Sequence, residues 1–287
     1  MKLFKLLSGI VLCVGLCCVI AGGGIFYARY STAYGQKKIK ELPTYRLSAF
    51  TELQDRETLT LCAARGLAAK QPENSLPAVR AAGDAGYSYI LLDVAMTRDK
   101  VPVLLADDTL SRMTAGRSPV RTVDFDALRS FPLDNGAGID KAEETIFIPA
   151  LSDALEICAE YGMTPILTVR TLRGMTQLQT VLQKFHRSYG IASGEKDVLS
   201  AFQETGCLRL YRTGVLSRQA VQYARKESCA LLFDASQTRA EQIRDASDAG
   251  LELWAQTVRS RTALGTLAEN GVRKIVTDCI LPLGRKG

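Results

Sequence analysis

From residue 59 onward the hydrophobic pattern alternates between two kinds of segment. Short apolar runs with the length of buried strands stand at Leu59–Ala63, Tyr89–Val94, Thr164–Arg170, Leu208–Arg212, Ala230–Phe233, Leu251–Thr257 and Lys274–Thr277. Segments with apolar residues at helical spacing lie between them: Ser75–Ala85, Leu151–Tyr161, Met175–Tyr189, Asp197–Gln203, Ser217–Lys226, Thr238–Ala249 and Thr262–Glu269. Gly86, Gly162, Gly250 and Gly271 stand at or just past the ends of helical segments, and Asn74 or Ser75 precedes the first as an N-cap, which are the stop and start signals of helices. Too few residues separate Tyr89–Val94 from the apolar run Val101–Leu105 for a parallel crossover, so Arg98-Asp99-Lys100 is the expected tip of a hairpin. Ser111 to Thr145 has scattered Gly, Pro and Asp with few apolar repeats, predicting a long loop that carries one short helix at Phe125–Ser130.

Strand, helix, strand in series argues for a parallel sheet with helices outside it. Seven parallel strands are visible in the pattern. One further short strand is expected between Tyr189 and Gly206.

The N-terminal segment has a different character. Leu6 to Ala28 holds no charged residue and is long enough to cross a bilayer, which takes about 20 apolar residues. The expected organisation is therefore a transmembrane anchor over residues 1–29, a juxtamembrane linker over 30–58 and a folded domain over 59–287. A cleavable signal peptide is the alternative, but the apolar run continues through Ile25, Phe26 and Tyr27. Lys2 and Lys5 on one flank face Arg29, Lys37, Lys38 and Lys40 on the other, so charge does not decide the orientation.

Composition narrows the function classes. A net charge of +6 with no interleaving of basic and aromatic residues argues against a nucleic-acid partner. Of eight cysteines, Cys13, Cys17 and Cys18 lie in the apolar segment, and the other five show no spacing of a zinc site or disulfide framework. Buried free thiols are expected.

Several motifs carry a resemblance. Arg65-Gly66, Pro72-Glu73-Asn74-Ser75, Leu92-Asp93-Val94 with Thr97-Arg98-Asp99, Val101-Pro102-Val103, Asp107-Asp108-Thr109-Leu110, Ile148-Pro149-Ala150-Leu151 and Ile275-Val276-Thr277-Asp278 resemble, in order and spacing, the glycerophosphodiester phosphodiesterases. The resemblance implies an α/β fold, a (β/α)8 TIM-type barrel with a β-hairpin insertion, preceded here by the N-terminal helix. It also implies that ligand chemistry lies at the C-terminal strand ends, which present Ala64-Arg65, Asp93, Ala106 of the hairpin, Arg170, Arg212, Asp234, Val258-Arg259 and Asp278.

The same resemblance exposes what is missing. The family opens with His-Arg-Gly, ends the second strand with the metal ligands Glu-x-Asp, carries a second histidine after the hairpin, and has Glu-x-Lys on a later strand. Here Ala64 precedes Arg65-Gly66, Leu91 precedes Leu92-Asp93, Ala106 follows the hairpin, and Thr168-Val169-Arg170 replaces Glu-x-Lys. The resemblance thus implies a pseudoenzyme with no catalytic residues, no cofactor and no metal, Asp93 being a vestigial ligand. Arg65 and Arg170 are the expected phosphate-binding residues, with Glu73, Asn74, Asp93 and Asp107 in the pocket and a local balance of about one positive charge. The expected partners are a phosphodiester or glycerol phosphate, free or as a lipid headgroup, and the membrane. The resemblance places the barrel on the extracytoplasmic side of the cell membrane. The alternative is an active phosphodiesterase that binds calcium or magnesium in a rearranged site built from Asp93, Asp107 and Asp108. Competing structural readings pair Arg65 with Glu73 and Arg170 with Asp93. The sole histidine, His186, falls on an outer helix and is expected to serve packing.

Overall fold

A computed structural model describes residues 43–50, 58–133 and 145–283. The expected membrane anchor, residues 1–29, lies outside the described residues, as does the linker up to residue 42. Among the described residues no helix is long and apolar enough to cross a membrane.

Eight parallel strands close a barrel: β2 (Thr60–Ala64), β3 (Tyr89–Met96), β5 (Thr164–Val169), β6 (Gly190–Ser193), β7 (Leu208–Thr213), β8 (Ala230–Asp234), β9 (Leu253–Gln256) and β10 (Lys274–Thr277). β10 pairs with β2, and β2 with β3, so the ring has no open edge. The strand β4 (Pro102–Leu104) runs antiparallel to Val94–Met96, taking over pairing with β3 above the end of β2. The hairpin expected from chain length is therefore present, with Lys100 in a left-handed conformation at its tip (φ 63°).

Helices wrap the outside: α1 (Leu76–Ala85), α2 (Leu151–Tyr161), α3 (Met175–Lys184), α4 (Lys196–Ser200), α5 (Arg218–Glu227), α6 (Ala240–Asp248) and α7 (Arg261–Glu269). Ser75, rather than Asn74, caps α1: its Oγ accepts a hydrogen bond from Ala78 N at 3.2 Å and donates to Pro72 O at 2.6 Å. Ser217 and Ser260 cap α5 and α7 in the same way. Such caps satisfy amide groups that have no partner within the helix.

Alternation along the strands divides the core in two. Leu61, Ala63, Ile90, Leu92, Leu167, Val169, Ile191, Leu231 and Phe233 face the helices. Cys62, Leu91, Ile166, Ala192, Leu210, Leu232, Trp254 and Val276 fill the lumen. At the N-terminal floor of the lumen, Tyr89 and Trp254 meet edge to face with centroids 5.2 Å apart, and Lys274 Nζ lies 4.8 Å from the Tyr89 ring.

The structure departs from the expected elements in three places. The helix expected to run to Tyr189 stops at Lys184, where Phe185 folds into the core, and the missing strand is β6. Its four residues, Gly-Ile-Ala-Ser, include one large apolar side chain, too weak a signal to read as a strand. A Cβ on Gly190 would come within 2.6 Å of Ile166 Cδ1, so a side chain there would push the buried Ile166 aside. The expected loop after the hairpin instead makes short 3-10 turns and a separate core, in which Leu110, Met113, Val120, Leu128 and Leu133 pack on Ala95, Val103 and Ile148. Finally, part of the expected linker belongs to the folded domain. The strand β1 (Tyr45–Arg46) pairs in parallel with β11 (Ile280–Leu281), and Leu47 and Phe50 are buried at 1% exposure each.

The five domain cysteines are free, and all but Cys207 are buried. Burial pushes the Cys158 thiol up to about 12 and Cys62 higher still, so these are core side chains rather than nucleophiles.

Candidate functional site

One step of the strand alternation beyond the lumen core defines the barrel mouth. Two residues on from Cys62, Leu91, Ile166, Leu210, Leu232, Trp254 and Val276 stand Ala64, Asp93, Thr168, Arg212, Asp234, Gln256 and Asp278. All but Thr168 line a cavity of about 230 Å³, which also takes in Arg65, Glu73, Thr257 and Arg259. A larger groove of about 580 Å³ between α2 and α3 holds His186, but it lies on the outer helices, far from the strand ends.

Arg65 and Gly66 begin the mouth. Both have left-handed backbones, with φ 57° and 80°. Gly66 tolerates no side chain there, because a Cβ would lie 2.6 Å from the Ala78 carbonyl carbon. The turn directs Arg65 back over β3, where its Nε lies 2.8 Å from Asp93 Oδ2 and its Nη1 is 3.1 Å from Glu73 Oε2. Asn74 completes the arrangement reciprocally: its Nδ2 donates to Asp93 Oδ2 at 3.2 Å and its Oδ1 accepts from Asp93 N at 3.0 Å. Glu73 also takes an ion pair from Arg112, which holds Asp107 at 2.6 Å. Burial would raise the Glu73 carboxyl, but the hydrogen bonds and charges of Arg112 and Arg65 outweigh it and hold it below the usual carboxylate range.

Arg65, Glu73, Asn74 and Asp93 are thus brought together as expected, and the competing pairing of Arg65 with Glu73 is present beside the pairing with Asp93. Arg170 is placed elsewhere. Its Nη1 donates to the Ala106 carbonyl and its Nη2 lies 3.1 Å from Asp108, so it ties β5 to the chain after the hairpin instead of joining Arg65 or pairing with Asp93. Asp107 turns to Arg112 on the rim and does not line the cavity, and the Asp108 side chain is 90% exposed. Just beyond β9, Arg259 forms a two-toothed pair with Asp278 at the end of β10, its Nε 3.0 Å from both carboxylate oxygens. The cavity wall therefore holds three arginines, Arg65, Arg212 and Arg259, against four carboxylates, Glu73, Asp93, Asp234 and Asp278. The expected positive excess is replaced by near balance.

This donor set does not fit a divalent cation. Such an ion takes six or more oxygens, several from carboxylates. Asp93 is covered by Arg65 and Asn74, while its neighbours in the template positions are Leu91 and Thr168. Among the described residues no three His, Cys, Asp or Glu side chains are grouped closely enough to hold a metal.

The fold and these motifs have known counterparts. Residues 65–281 match the profile of the glycerophosphoryl diester phosphodiesterase family. The chain belongs to this family. Glycerophosphodiester phosphodiesterase 1 of Mus musculus is 26% identical over 174 residues, covering 60% of this chain and 50% of the mouse protein; the Homo sapiens protein is 29% identical over 130 residues, 45% of this chain and 39% of its own length. The chain thus spans about half the length, or less, of these relatives. An Oleispira antarctica phosphodiesterase in complex with the product sn-glycerol-3-phosphate superposes with a TM-score of 0.70 at 22% identity, over 81% of this chain and 95% of that one. A glycerophosphodiester phosphodiesterase of Agrobacterium tumefaciens gives 0.63 at 19% identity, over 77% and 96%. At these identities the structures establish the shared fold. At the positions where the resemblance called for histidines and metal carboxylates, this glycerophosphodiester phosphodiesterase family member has Ala64, Leu91, Ala106 and Thr168.

Arg112 and four charged cavity-lining residues, Arg212, Asp234, Arg259 and Asp278, were not among the expected site residues. Arg212 and Asp234 were visible as strand ends, and period-two alternation from Leu210 and Leu232 would have turned them inward. Arg112 carried no such signal, since it arrives from the segment after the hairpin.

Proposed function

We propose that this family member no longer hydrolyses phosphodiesters and uses its mouth to hold a phosphodiester or glycerol phosphate headgroup without a metal. The observation that carries this reading is the position of Arg65 on Asp93: the one carboxylate remaining of three is neutralised by the protein's own guanidinium. Proton transfer lacks its agents as well. Each positioned acid or base is worth about 10²- to 10⁴-fold, and alanine stands at both histidine positions while His186 lies among the outer helices. The reading of an active enzyme with calcium or magnesium on Asp93, Asp107 and Asp108 is disfavoured because the last two turn to Arg112 and Arg170. The product-bound Oleispira neighbour supports glycerol phosphate as the type of group the mouth accepts.

The test is phosphorus NMR on the full chain in mild detergent, with glycerophosphodiesters and with or without calcium or magnesium. No turnover is expected; metal-dependent turnover that disappears in Asp93→Ala would overturn the proposal. Residues 6–28 are proposed as a membrane anchor, supported by their lack of charge, with the barrel on the extracytoplasmic side. Retention after alkaline washing is the expected result, and a mature N-terminus near Arg29 would show a cleaved signal instead.

A further inference from the structure

The motifs shared with the family stand at one side of the mouth, at the ends of β2, β3 and β10, and the charged residues there are paired among themselves. The opposite wall is different. Arg212, on β7, is half-buried and lines the cavity, yet among the described residues its side chain has no hydrogen bond or ion pair. Asp234 lines the same cavity from the adjoining strand β8. The two opposite charges do not meet within 4 Å. Asp234 Oδ1 accepts from Ser236 N at 2.9 Å and Ser236 Oγ at 2.6 Å, but its Oδ2 is approached only by Gln237 Nε2 at 3.4 Å. One carboxylate oxygen thus keeps most of its accepting capacity. Thr168, on β5 and outside the cavity lining, is 1% exposed and shares the lumen face of Ile166, and its Oγ1 has no hydrogen-bond partner among the described residues. Between Thr168 and Arg212 the intervening strand β6 places only Ala192 and, just beyond it, Gly194, leaving that stretch of wall without a bulky side chain.

We infer that ligand recognition has moved across the mouth to β7 and β8, where Arg212 takes an oxyanion and Asp234 an ammonium of the same molecule. The ligand class is an amine-bearing phosphate ester. A half-buried guanidinium without a counter-ion is poised for a phosphate, to which it can donate paired hydrogen bonds. A carboxylate on the adjoining strand, diagonal to it because Arg212 stands opposite Leu232, and so about 7 to 8 Å away between backbone positions, suits an ammonium carried on the same molecule as that phosphate. The near balance of charge in the cavity favours such a zwitterion over a simple dianion. Arg65 and Arg259 are already saturated by carboxylates and contribute little. This inference rests on the non-hydrolysing reading and names the residues and ligand class that reading leaves open.

The experiment is calorimetric titration of phosphoethanolamine, glycerophosphoethanolamine and glycerol 3-phosphate into the full chain in detergent, as wild type, Arg212→Met and Asp234→Asn. Phosphorus NMR on the same samples reports any cleavage. Wild type should prefer the two amine-bearing probes. Arg212→Met should weaken all three by roughly 10- to 100-fold, the range of hydrogen bonds to a charged partner, while melting no lower than wild type because it removes an unpaired charge. Asp234→Asn should weaken only the amine-bearing probes and leave glycerol 3-phosphate as tight or tighter. Unchanged affinity in Arg212→Met, or a uniform effect of Asp234→Asn on all probes, overturns the inference and leaves the non-hydrolysing reading standing. Cleavage of glycerophosphoethanolamine by wild type overturns that reading whatever the variants bind. If wild type binds none of the probes, both fall.

Discussion

Replacing Arg65 by methionine tests whether the protein has substituted its own cation for the family's metal. Asp93 keeps only 7% of its side chain exposed, whereas Arg65 is 38% exposed. Removing one partner of a fully buried pair costs about 3 to 5 kcal/mol, and an exposed pair contributes about 0 to 1 kcal/mol. The partial exposure of Arg65 and the two Asn74 hydrogen bonds that Asp93 retains place this case near 2 kcal/mol. In a domain of this size 1 kcal/mol shifts the melting temperature by about 2 to 4 °C, so Arg65→Met should melt about 4 to 8 °C lower. Asp93→Asn leaves Arg65 paired with Glu73 and should cost less. In the double variant neither charge is stranded, and the deficit should shrink by about 1 to 2 kcal/mol relative to the summed singles. Melting the four proteins by far-UV circular dichroism gives the cycle. A neutral Arg65→Met, or singles that add within about 0.5 kcal/mol, would refute the claim that the pair holds the mouth together.

Other expectations can be checked on the same protein. Gly66→Ala should destabilise by about 2 to 4 kcal/mol, joining left-handed strain to overpacking against the Ala78 backbone; urea titration with an unchanged midpoint would contradict it. Calcium or magnesium at millimolar level should leave the melting temperature where it is, since only a ligand of the folded state raises it; a rise that vanishes in Asp93→Ala would restore a metal site. The Glu73 carboxyl is held low in the folded state, so its stabilising contribution is complete above the unfolded value of about 4.3 and is lost as pH falls through the lower folded value. Between about pH 4.5 and pH 3 wild type should therefore lose stability faster than Glu73→Gln, and parallel melting curves would argue against the ion pairs with Arg65 and Arg112.

Most of the barrel was legible because strand and helix periods alternate cleanly, and because glycines such as Gly86 and Gly162 mark helix ends. The strand β6 was hidden by its brevity and small residues. The core after the hairpin was hidden because Leu110, Met113, Val120 and Leu128 come together through irregular turns with no fixed period. At the mouth, Glu73 and Asn74, expected to share the pocket with Asp93, stand around the Arg65–Asp93 pair, whereas Asp107, expected with them, does not line the cavity. Arg170 was misplaced because a strand-end position does not determine direction: the next residue of a strand turns out of the lumen or over the rim according to the loop that meets it, here the Ala106 carbonyl. Arg212 was weighed only as a strand end because no motif drew attention to β7.

Trp254, the chain's single tryptophan, sits on the floor of the lumen at 1% exposure, two residues below the mouth-lining Gln256. Its indole emission should follow the integrity of the strand ring, since the ring buries it. The protein thereby carries an internal optical probe of folding: a single buried indole whose exposure to solvent reports opening of the strand ring.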